Sequence, residues 1–317
     1  MQAVTQNEWG NPERLLISNI EIPTPAQDEI LVKTIAAGMN RADILQRKGL
    51  YNPPKGTSPI LGLEISGVRE DTNEKICTLL SGGGYAAYVC VNKNLCLPIP
   101  PALDPIHAAG LPEAIYTAYR NLIEIGGMKS GDHILIHGGA SGIGTMAIQI
   151  AKLYGAHITV TAGSDERCTA CRALGADNAI NYKSQNFAET LKGKKFDIAL
   201  DMVGGTTLTR SIPLMNYQGR IISIAYLEKA QAEISIPHIM KQQLTLTGST
   251  LRDQSLDYKI ALTKKIKKHI WPHVETGRIR PVIDRIFTLD DAVKAHEYFE
   301  KGGHFGKIIL KMSDSKP

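Results

Sequence analysis

The stretch His133–Tyr154, HILIHGGASGIGTMAIQIAKLY, decides the fold. Its opening residues, His133–Ile136, make a short apolar run of the kind that forms a buried strand. The turn His137–Gly144, HGGASGIG, follows, and then a helix over Gly142–Tyr154 carries Ile143, Ala147, Ile150, Ala151 and Tyr154 near one face. Within it, Gly142-Ile143-Gly144-Thr145-Met146-Ala147 fits the spacing G-x-G-x-x-A. A pyrophosphate requires free N–H groups at a helix N-terminus and a backbone it can approach closely, and this glycine turn supplies both. Ser141 adds a hydroxyl to the phosphate-binding donors. A second strand at Ile158–Thr161 completes the strand–turn–helix–strand context that separates a dinucleotide site from a mere glycine string.

Outward from this unit, strand and helix alternate. Helix Glu166–Leu174 is stopped by Gly175, and Phe196–Leu200 and Arg220–Ala225 read as further buried strands. That alternation predicts an α/β domain with a doubly wound parallel sheet. The first third is β-rich and punctuated by prolines. Ala3–Val4, Leu15–Ile22, Glu29–Ala36 and Tyr85–Val91 have strand character, Asp43–Lys48 is a short helix, and Cys96–Pro101 an extended connection. The last third holds strand Leu244–Ser249, a mostly helical Leu256–Glu275, helix Asp290–Lys301 and strand Lys307–Lys311. The division expected is a β-rich domain over 1–112, a nucleotide-binding domain over 113–252, and a return to the first domain over 253–317.

The residues after the second strand bear on the choice of nucleotide. NAD sites usually place an acid at that strand end, about twenty residues after the turn, for the ribose hydroxyls. Here the strand runs into Thr161-Ala162-Gly163-Ser164, with no acid at its end. Ser164 and Arg167 offer hydroxyl and guanidinium donors that suit a 2′-phosphate. Asp165 argues the other way if its charge points inward. The reading is NADPH.

Composition excludes other classes. The 317 residues are 43% hydrophobic and 21% charged, with a net charge of +5 spread along the chain. No run of eighteen apolar residues exists, and the N-terminus has no basic region followed by an apolar stretch, so the expected location is the cytoplasm. The one dense basic run, Lys264–His269, sits among Ile260, Ile266 and Ile270 and reads as the solvated face of a helix. It lacks the interleaved aromatics of a nucleic-acid patch. Five cysteines at irregular spacing make no disulfide framework, and Cys168-Thr-Ala-Cys171, formally CxxC, reads as structural.

Several further motifs, in order along nearly the whole chain, go beyond the glycine turn. They are Asn40-Arg41-Ala42-Asp43, Leu45–Tyr51 (LQRKGLY), Leu61-Gly62-Leu63-Glu64, Pro112-Glu113-Ala114, Thr161–Ser164, Asn181-Tyr182-Lys183 and Gly306-Lys307. With them the chain resembles the zinc-free quinone oxidoreductases of the medium-chain dehydrogenase/reductase superfamily, the zeta-crystallin group, and within it the tumour-suppressor-induced branch. The resemblance implies a Rossmann domain inserted into a β-rich GroES-like domain. It implies cofactor contacts at Asn40, Tyr51 and Thr117 beside the nicotinamide and at Ser141, Gly142, Ile143 and Gly144 on the pyrophosphate. It implies others at Gly163, Ser164, Arg167 and Tyr182 around the 2′-phosphate, at Ala225 and Tyr226 after the fifth strand, and at Gly306 and Lys307. One departure stands out: Val68–Gly84 is roughly ten residues shorter than the family pattern, as though its glycine-rich hairpin were trimmed.

Zinc-dependent relatives carry a cysteine and a Gly-His-Glu histidine where this chain has Asn40 and Gly62-Leu63-Glu64. Leucine cannot ligate a metal and neutral asparagine is a poor zinc ligand, so no metal is expected. His269 and His273 lack a third partner. Without a Lewis acid, quinones and activated enones are the natural acceptors, because they chiefly need alignment. The expected activity is zinc-independent reduction of a quinone by NADPH, with Tyr51 as hydrogen-bond donor to the developing oxyanion and Asn40 orienting the ring or the substrate. Asp43 reads as a local cap and Glu64 as a hydrogen-bond partner of a loop. An enone or 2-alkenal reductase is the alternative, and an RNA-binding or crystallin-like NADPH-binding protein an alternative of another class. Nucleic acid and membrane are not expected partners. The resemblance also implies a homodimer, through the edge strand 244–249, whose apolar residues would need covering.

Overall fold

The computed structural model describes residues 1–313 and divides the chain into two compact units, one formed by Met1–Tyr116 with the chain from Arg252 onward, the other by Thr117–Leu251. In the second unit, six strands form one parallel sheet. Their order is Asn178–Asn181, His157–Ala162, His133–His137, Phe196–Asp201, Met215–Ser223 and Thr245–Gly248. Numbered along the chain this is 3-2-1-4-5-6, the order of a dinucleotide-binding sheet. The order reverses between His133–His137 and Phe196–Asp201, so the glycine turn leaves the sheet at its switch point, where such folds bind ligands. The core explains why these short runs are strands: Leu135, Ile180, Phe196, Ala199, Met215 and Ile221 are all buried in one cluster with Phe187 and Ile212. The expected buried strands at 196–200 and 220–225 are both present, the second beginning earlier, at Met215.

Helix Gly142–Leu153 follows the turn and buries Met146, Ala147, Ile148, Ile150 and Ala151. Helix Asp165–Leu174 ends at Gly175, whose φ of 124° is open to glycine. It buries Cys168 and Cys171. Both are free thiols whose proton affinity burial raises, that of Cys171 to about 12. That is the opposite of an activated redox pair.

The first unit is built on a seven-stranded mixed sheet. Ile283–Thr288 lies parallel to Lys307–Lys311, which pairs antiparallel with the long strand Glu29–Gly38. From there the sheet continues through Glu64–Arg69, Lys75–Leu79 and Cys96–Pro98, while Tyr88–Asn92 pairs with the other end of Glu29–Gly38. Gln2–Gln6 and Leu15–Asn19 form a separate hairpin. Alternation drives the long strand: Ile30, Val32, Thr34 and Ala36 are buried, and Lys33 is exposed. In the helix Leu256–His269 the buried positions are Lys259, Leu262, Thr263 and Ile266, with the lysines 264, 265, 267 and 268 outside. Ile260 is only half-buried, and a break at Ile270 separates a second helix, Trp271–Glu275.

Two local differences from the sequence reading have physical causes. Cys96–Pro98 is a short edge strand and not a bare connection, because it can accept the hydrogen bonds that Lys75–Leu79 offers on its free side. The shortened segment Val68–Gly84 forms a regular hairpin. Arg69 and Glu74 close it, Asn73 takes the left-handed conformation at φ 60°, and the Arg69 guanidinium bonds both Asp71 and Glu74. Its strands pair in full register from Glu64↔Leu79 to Val68↔Lys75. No helix among the described residues is long and apolar enough to cross a membrane.

Candidate functional site

In the unit 117–251 the glycine turn is held tightly. A Cβ on Gly144 would collide with the Gly138 carbonyl oxygen, and one on Gly139 would sit 2.7 Å from Val160. The first turn of helix Gly142–Leu153 therefore packs directly on the backbone before it. Ser141 is the N-cap, its Oγ accepting from the Gly144 N–H at 2.9 Å. His137, the last residue of the strand, is fully buried between Thr161 and Ser211 hydroxyls, and burial pushes its pKa down to about 4. It is a neutral spacer beneath the turn.

At the end of the neighbouring strand His157–Ala162, three residues converge on Gly163. A Cβ there would lie 2.7 Å from the Tyr182 hydroxyl and 3.4 Å from Arg167 Nη1. Ser164 caps helix Asp165–Leu174 through the Arg167 N–H. Asp165 turns aside, its Oδ1 accepting from Asn181 Nδ2 at 3.0 Å. A guanidinium and two hydroxyls thus gather at a helix N-terminus with two carboxylates: Asp165 is held by the Asn181 amide, and a hydrogen bond from Ser164 holds the Glu166 carboxyl below the usual range. Thr117 is buried in helix Pro112–Tyr119, its carbonyl accepting from Asn121. Ala225 is half-buried and Tyr226 is exposed, in a segment tied to the end of Phe196–Asp201 by Ile224 N–H to Asp201 O and Leu227 N–H to Met202 O.

The other unit holds a buried polar cluster. Lys307 Nζ donates to Met39 O at 2.8 Å and to Asn40 Oδ1 at 2.6 Å, and lies 2.5 Å from Glu64 Oε1. The same Glu64 oxygen accepts from Asn40 Nδ2 at 3.0 Å, while Glu64 Oε2 accepts from the Glu113 N–H at 2.8 Å. The Lys307 and Glu64 side chains are 5% and 0% exposed, so this is a desolvated ion pair with its remaining lone pairs and protons satisfied. Asn40 and Lys307 are therefore in direct contact, and Gly306 precedes Lys307 on the chain with φ 97°. Asp43 begins the helix Arg41–Arg47 and accepts from the Asn40 N–H at 2.7 Å, the Gly62 N–H at 2.9 Å and the Tyr85 hydroxyl at 3.2 Å. The capping role expected of Asp43 and the structural hydrogen bond expected of Glu64 are both present.

Tyr51 lies elsewhere in this unit, against residues that sequence reasoning missed. Its hydroxyl is 3.4 Å from Asp253 Oδ2, and the Arg252 guanidinium sits 5.3 Å from its ring centroid. Burial, reinforced by Asp253, pushes its pKa up to about 12. Arg252 donates from Nε to Ser81 O and from Nη2 to Gln46 Oε1, and Lys259 donates to Ser81 Oγ and Arg252 O. No periodicity or motif links Gln46, Ser81, Arg252 and Lys259. Only the juxtaposition Arg252-Asp253 just beyond a sheet strand hints at them.

Comparison with known proteins gives the following. Residues 142–267 match the family described as zinc-binding dehydrogenase. The human quinone oxidoreductase is 30% identical over 330 aligned residues, covering 98% of this chain and 97% of the relative. Among solved structures, an NAD-dependent alcohol dehydrogenase superposes with a TM-score of 0.87 at 27% identity over 99% of this chain and 100% of the other. The quinone oxidoreductase of Thermus thermophilus, solved alone and with NADPH, does so with a TM-score of 0.86 at 28% identity, over 98% and 100%. Among the described residues, no three His, Cys, Asp or Glu side chains gather as a metal-binding group.

The buried carboxyl of Asp43 gives this cluster a pH signature. Burial, against the opposing hydrogen bonds from Gly62 and Asn40, raises its pKa from 3.8 to about 6. Between those values the folded chain holds a proton that the unfolded chain releases. Asp43 therefore favours the fold most below pH 4, and its contribution falls by about 3 kcal/mol as pH rises to 6 and stays flat above. Urea unfolding of the wild type and Asp43→Asn at pH 4.5 and 7 should show their stability difference moving toward the wild type at the lower pH. An unchanged difference would contradict this assignment.

Proposed function

This chain belongs to the zinc-free quinone oxidoreductases of the medium-chain dehydrogenase/reductase superfamily, and from that membership we propose that it reduces quinones with NADPH. The observation that carries the cofactor choice is the convergence of Arg167, Tyr182 and Ser164 on Gly163, with Asp165 held aside by Asn181. A 2′-phosphate needs donors, and Arg167, Tyr182 and Ser164 supply them, the Ser164 hydroxyl by exchanging the Glu166 carboxylate for the phosphate. The turn fits the rest of the dinucleotide. Gly144 leaves no room for a side chain, and Ser141 takes the N–H groups of Gly144 and Thr145, which leaves those of Gly142 and Ile143 to the pyrophosphate. We assign Ser141 to Gly144 to the pyrophosphate and Gly163, Ser164, Arg167 and Tyr182 to the 2′-phosphate. Thr117, Ala225 and Tyr226 are the remaining contacts proposed in this unit. Bound there, NADPH supplies the hydride.

The metal-free reading rests on the donor set. Asn40 Oδ1 and Glu64 Oε1 already share an ammonium, and Leu63 offers no ligand. A Lewis acid would have to displace Lys307 and leave its charge buried and unpaired. A substrate that needs no strong polarisation, such as a quinone, suits this arrangement. We assign Tyr51 the task of hydrogen-bonding the substrate oxygen as negative charge grows on it. With a pKa near 12 the phenol stays protonated at neutral pH, and its 3.4 Å contact with Asp253 is long enough to exchange for a better acceptor. Asn40, locked by Lys307 and Glu64, keeps a fixed amide orientation and is the proposed positioning group. Gly306 and Lys307 act through it.

A cytoplasmic setting belongs to this proposal, since all five cysteines are free. So does a homodimer through residues 244–249. Strand Thr245–Gly248 is the last of its sheet, and Ile236 and Met240 of the preceding helix are exposed.

Three measurements test the proposal. Cofactor oxidation with an ortho-quinone should run at least tenfold more efficiently with NADPH than with NADH, and Arg167→Ala should raise the KM for NADPH about tenfold while leaving NADH unchanged. Equal use of both cofactors by the wild type would overturn the assignment. In the same assay, extended to a short 2-alkenal, Tyr51→Phe should lower kcat for the quinone about tenfold with little change in KM. Full activity would reduce Tyr51 to a wall. Light scattering at micromolar concentration should return twice the chain mass of 34.5 kDa, and a monomer mass would refute the dimer.

A further inference from the structure

The unit formed by residues 1–116 and the chain from 252 onward contains a cavity of about 610 Å³, within the range of small-molecule sites. Much of its wall is apolar, with Ile20, Leu79, Leu80 and Val89 among the lining residues. Two cations also line it. Arg252 and Lys259 are 5% and 6% exposed, and Ser81 joins them, its carbonyl bonded to Arg252 Nε and its hydroxyl to Lys259 Nζ. The oxygens that accept from the two cations are all neutral: Ser81 O and Gln46 Oε1 for Arg252, Ser81 Oγ and Arg252 O for Lys259. Lys259 thus uses two of its protons, and Arg252 Nη1 is buried without any acceptor. Buried charges are normally met by an opposite charge in direct contact. Burial lowers the proton affinity of both groups, against the attraction of Asp253 and Glu113.

We infer that this cavity binds an amphipathic monocarboxylate, its carboxylate held by Lys259 and the unfilled donors of Arg252 and its chain against the apolar wall. A carboxylate can accept from both cations at once and supplies the missing charge. Glu21, Glu29 and Asp253 also line the cavity, the first and last of them exposed. Their charges disfavour a dianion such as phosphate but tolerate a monoanion whose apolar part displaces water from Leu79 and Leu80. Each buried methylene tightens binding about fourfold, so chain length sets affinity once the head group is anchored.

Calorimetric titration of the full chain tests this without reference to turnover, so its outcome is independent of the quinone reading. Decanoate, kept below micelle formation, should bind at least tenfold more tightly than decanol, and inorganic phosphate should not compete. Lys259→Met, which keeps the length of the side chain but removes the charge, should weaken decanoate at least tenfold and leave decanol unchanged. Cys90→Trp, at a half-buried lining residue that bonds neither cation, fills the cavity, should abolish binding of both and serves as the deciding variant if Lys259→Met does not fold. Equal affinity for decanoate and decanol, displacement by phosphate, or unchanged decanoate binding in Cys90→Trp would each overturn the assignment.

Discussion

The ammonium of Lys307, buried between Met39 O, Asn40 Oδ1 and Glu64 Oε1, is the interaction on which the first unit turns. It joins four separate pieces of chain: the last strand, the N-terminus of the helix Arg41–Arg47, the strand Glu64–Arg69, and, through the second Glu64 oxygen, the start of the helix at Pro112. None of these contacts is worth much alone, since the Coulomb gain is offset by the cost of removing both charges from water. Their value is specificity of position. Removing either partner would strand the other as a lone buried charge, so the strand Lys307–Lys311 and the Asn40 amide can adopt only one arrangement. The same ammonium occupies Asn40 Oδ1 and Glu64 Oε1, the oxygens on which the proposed metal-free reading rests.

In the second unit the controlling constraint is steric. The helix Gly142–Leu153 approaches the preceding backbone so closely that position 144 admits no side chain, whereas Gly163 meets only the ends of the Tyr182 and Arg167 side chains. Both follow the carboxyl ends of adjacent strands in the parallel sheet. Capping does the rest. Ser141 and Ser164 each satisfy an N–H of the helix they begin, which leaves the other first-turn donors directed outward. Two neighbouring strand ends, each with a serine cap, thus give two capped helix termini on adjacent strands of one sheet, the pair proposed for the pyrophosphate and the 2′-phosphate.

What the sequence made legible was local. The glycine turn, the parallel strands and the capping carboxylate of Asp43 are encoded within a few residues, where period, turn chemistry and capping rules apply. The strands Glu64–Arg69 and Lys75–Leu79 escaped because Ser66, Gly67 and Thr78 interrupt their apolar pattern; Ser66 and Thr78 are buried polar residues, and Gly67 lies within contact of Val32 and Lys33. The environment of Tyr51 escaped for a different reason. Its partners Arg252 and Asp253 lie some two hundred residues along the chain, and Arg252 reaches in turn to Gln46 and Ser81. No rule of spacing connects such residues. For Lys307 the resemblance implies a cofactor contact, and its bond to Asn40 follows from the pairing of the last strand with Glu29–Gly38.

The family description matched by residues 142–267 speaks of zinc, and the fold explains why that name and this chemistry can differ. The matched stretch runs from the phosphate-binding helix into the helix Leu256–His269, so it covers most of the parallel sheet and none of Asn40, Leu63, Glu64 or Lys307. What this stretch encodes physically is a way of holding a dinucleotide, which depends on strand order, two tight glycines and helix caps. The proposed absence of a metal rests on residues outside that stretch, a strand end and a helix cap in the other unit. There Leu63 offers no ligand atom and the Lys307 ammonium holds the oxygens of Asn40 and Glu64. The dinucleotide scaffold can therefore be shared among proteins of opposite metal dependence, and the reaction has to be read from those few residues and not from the scaffold.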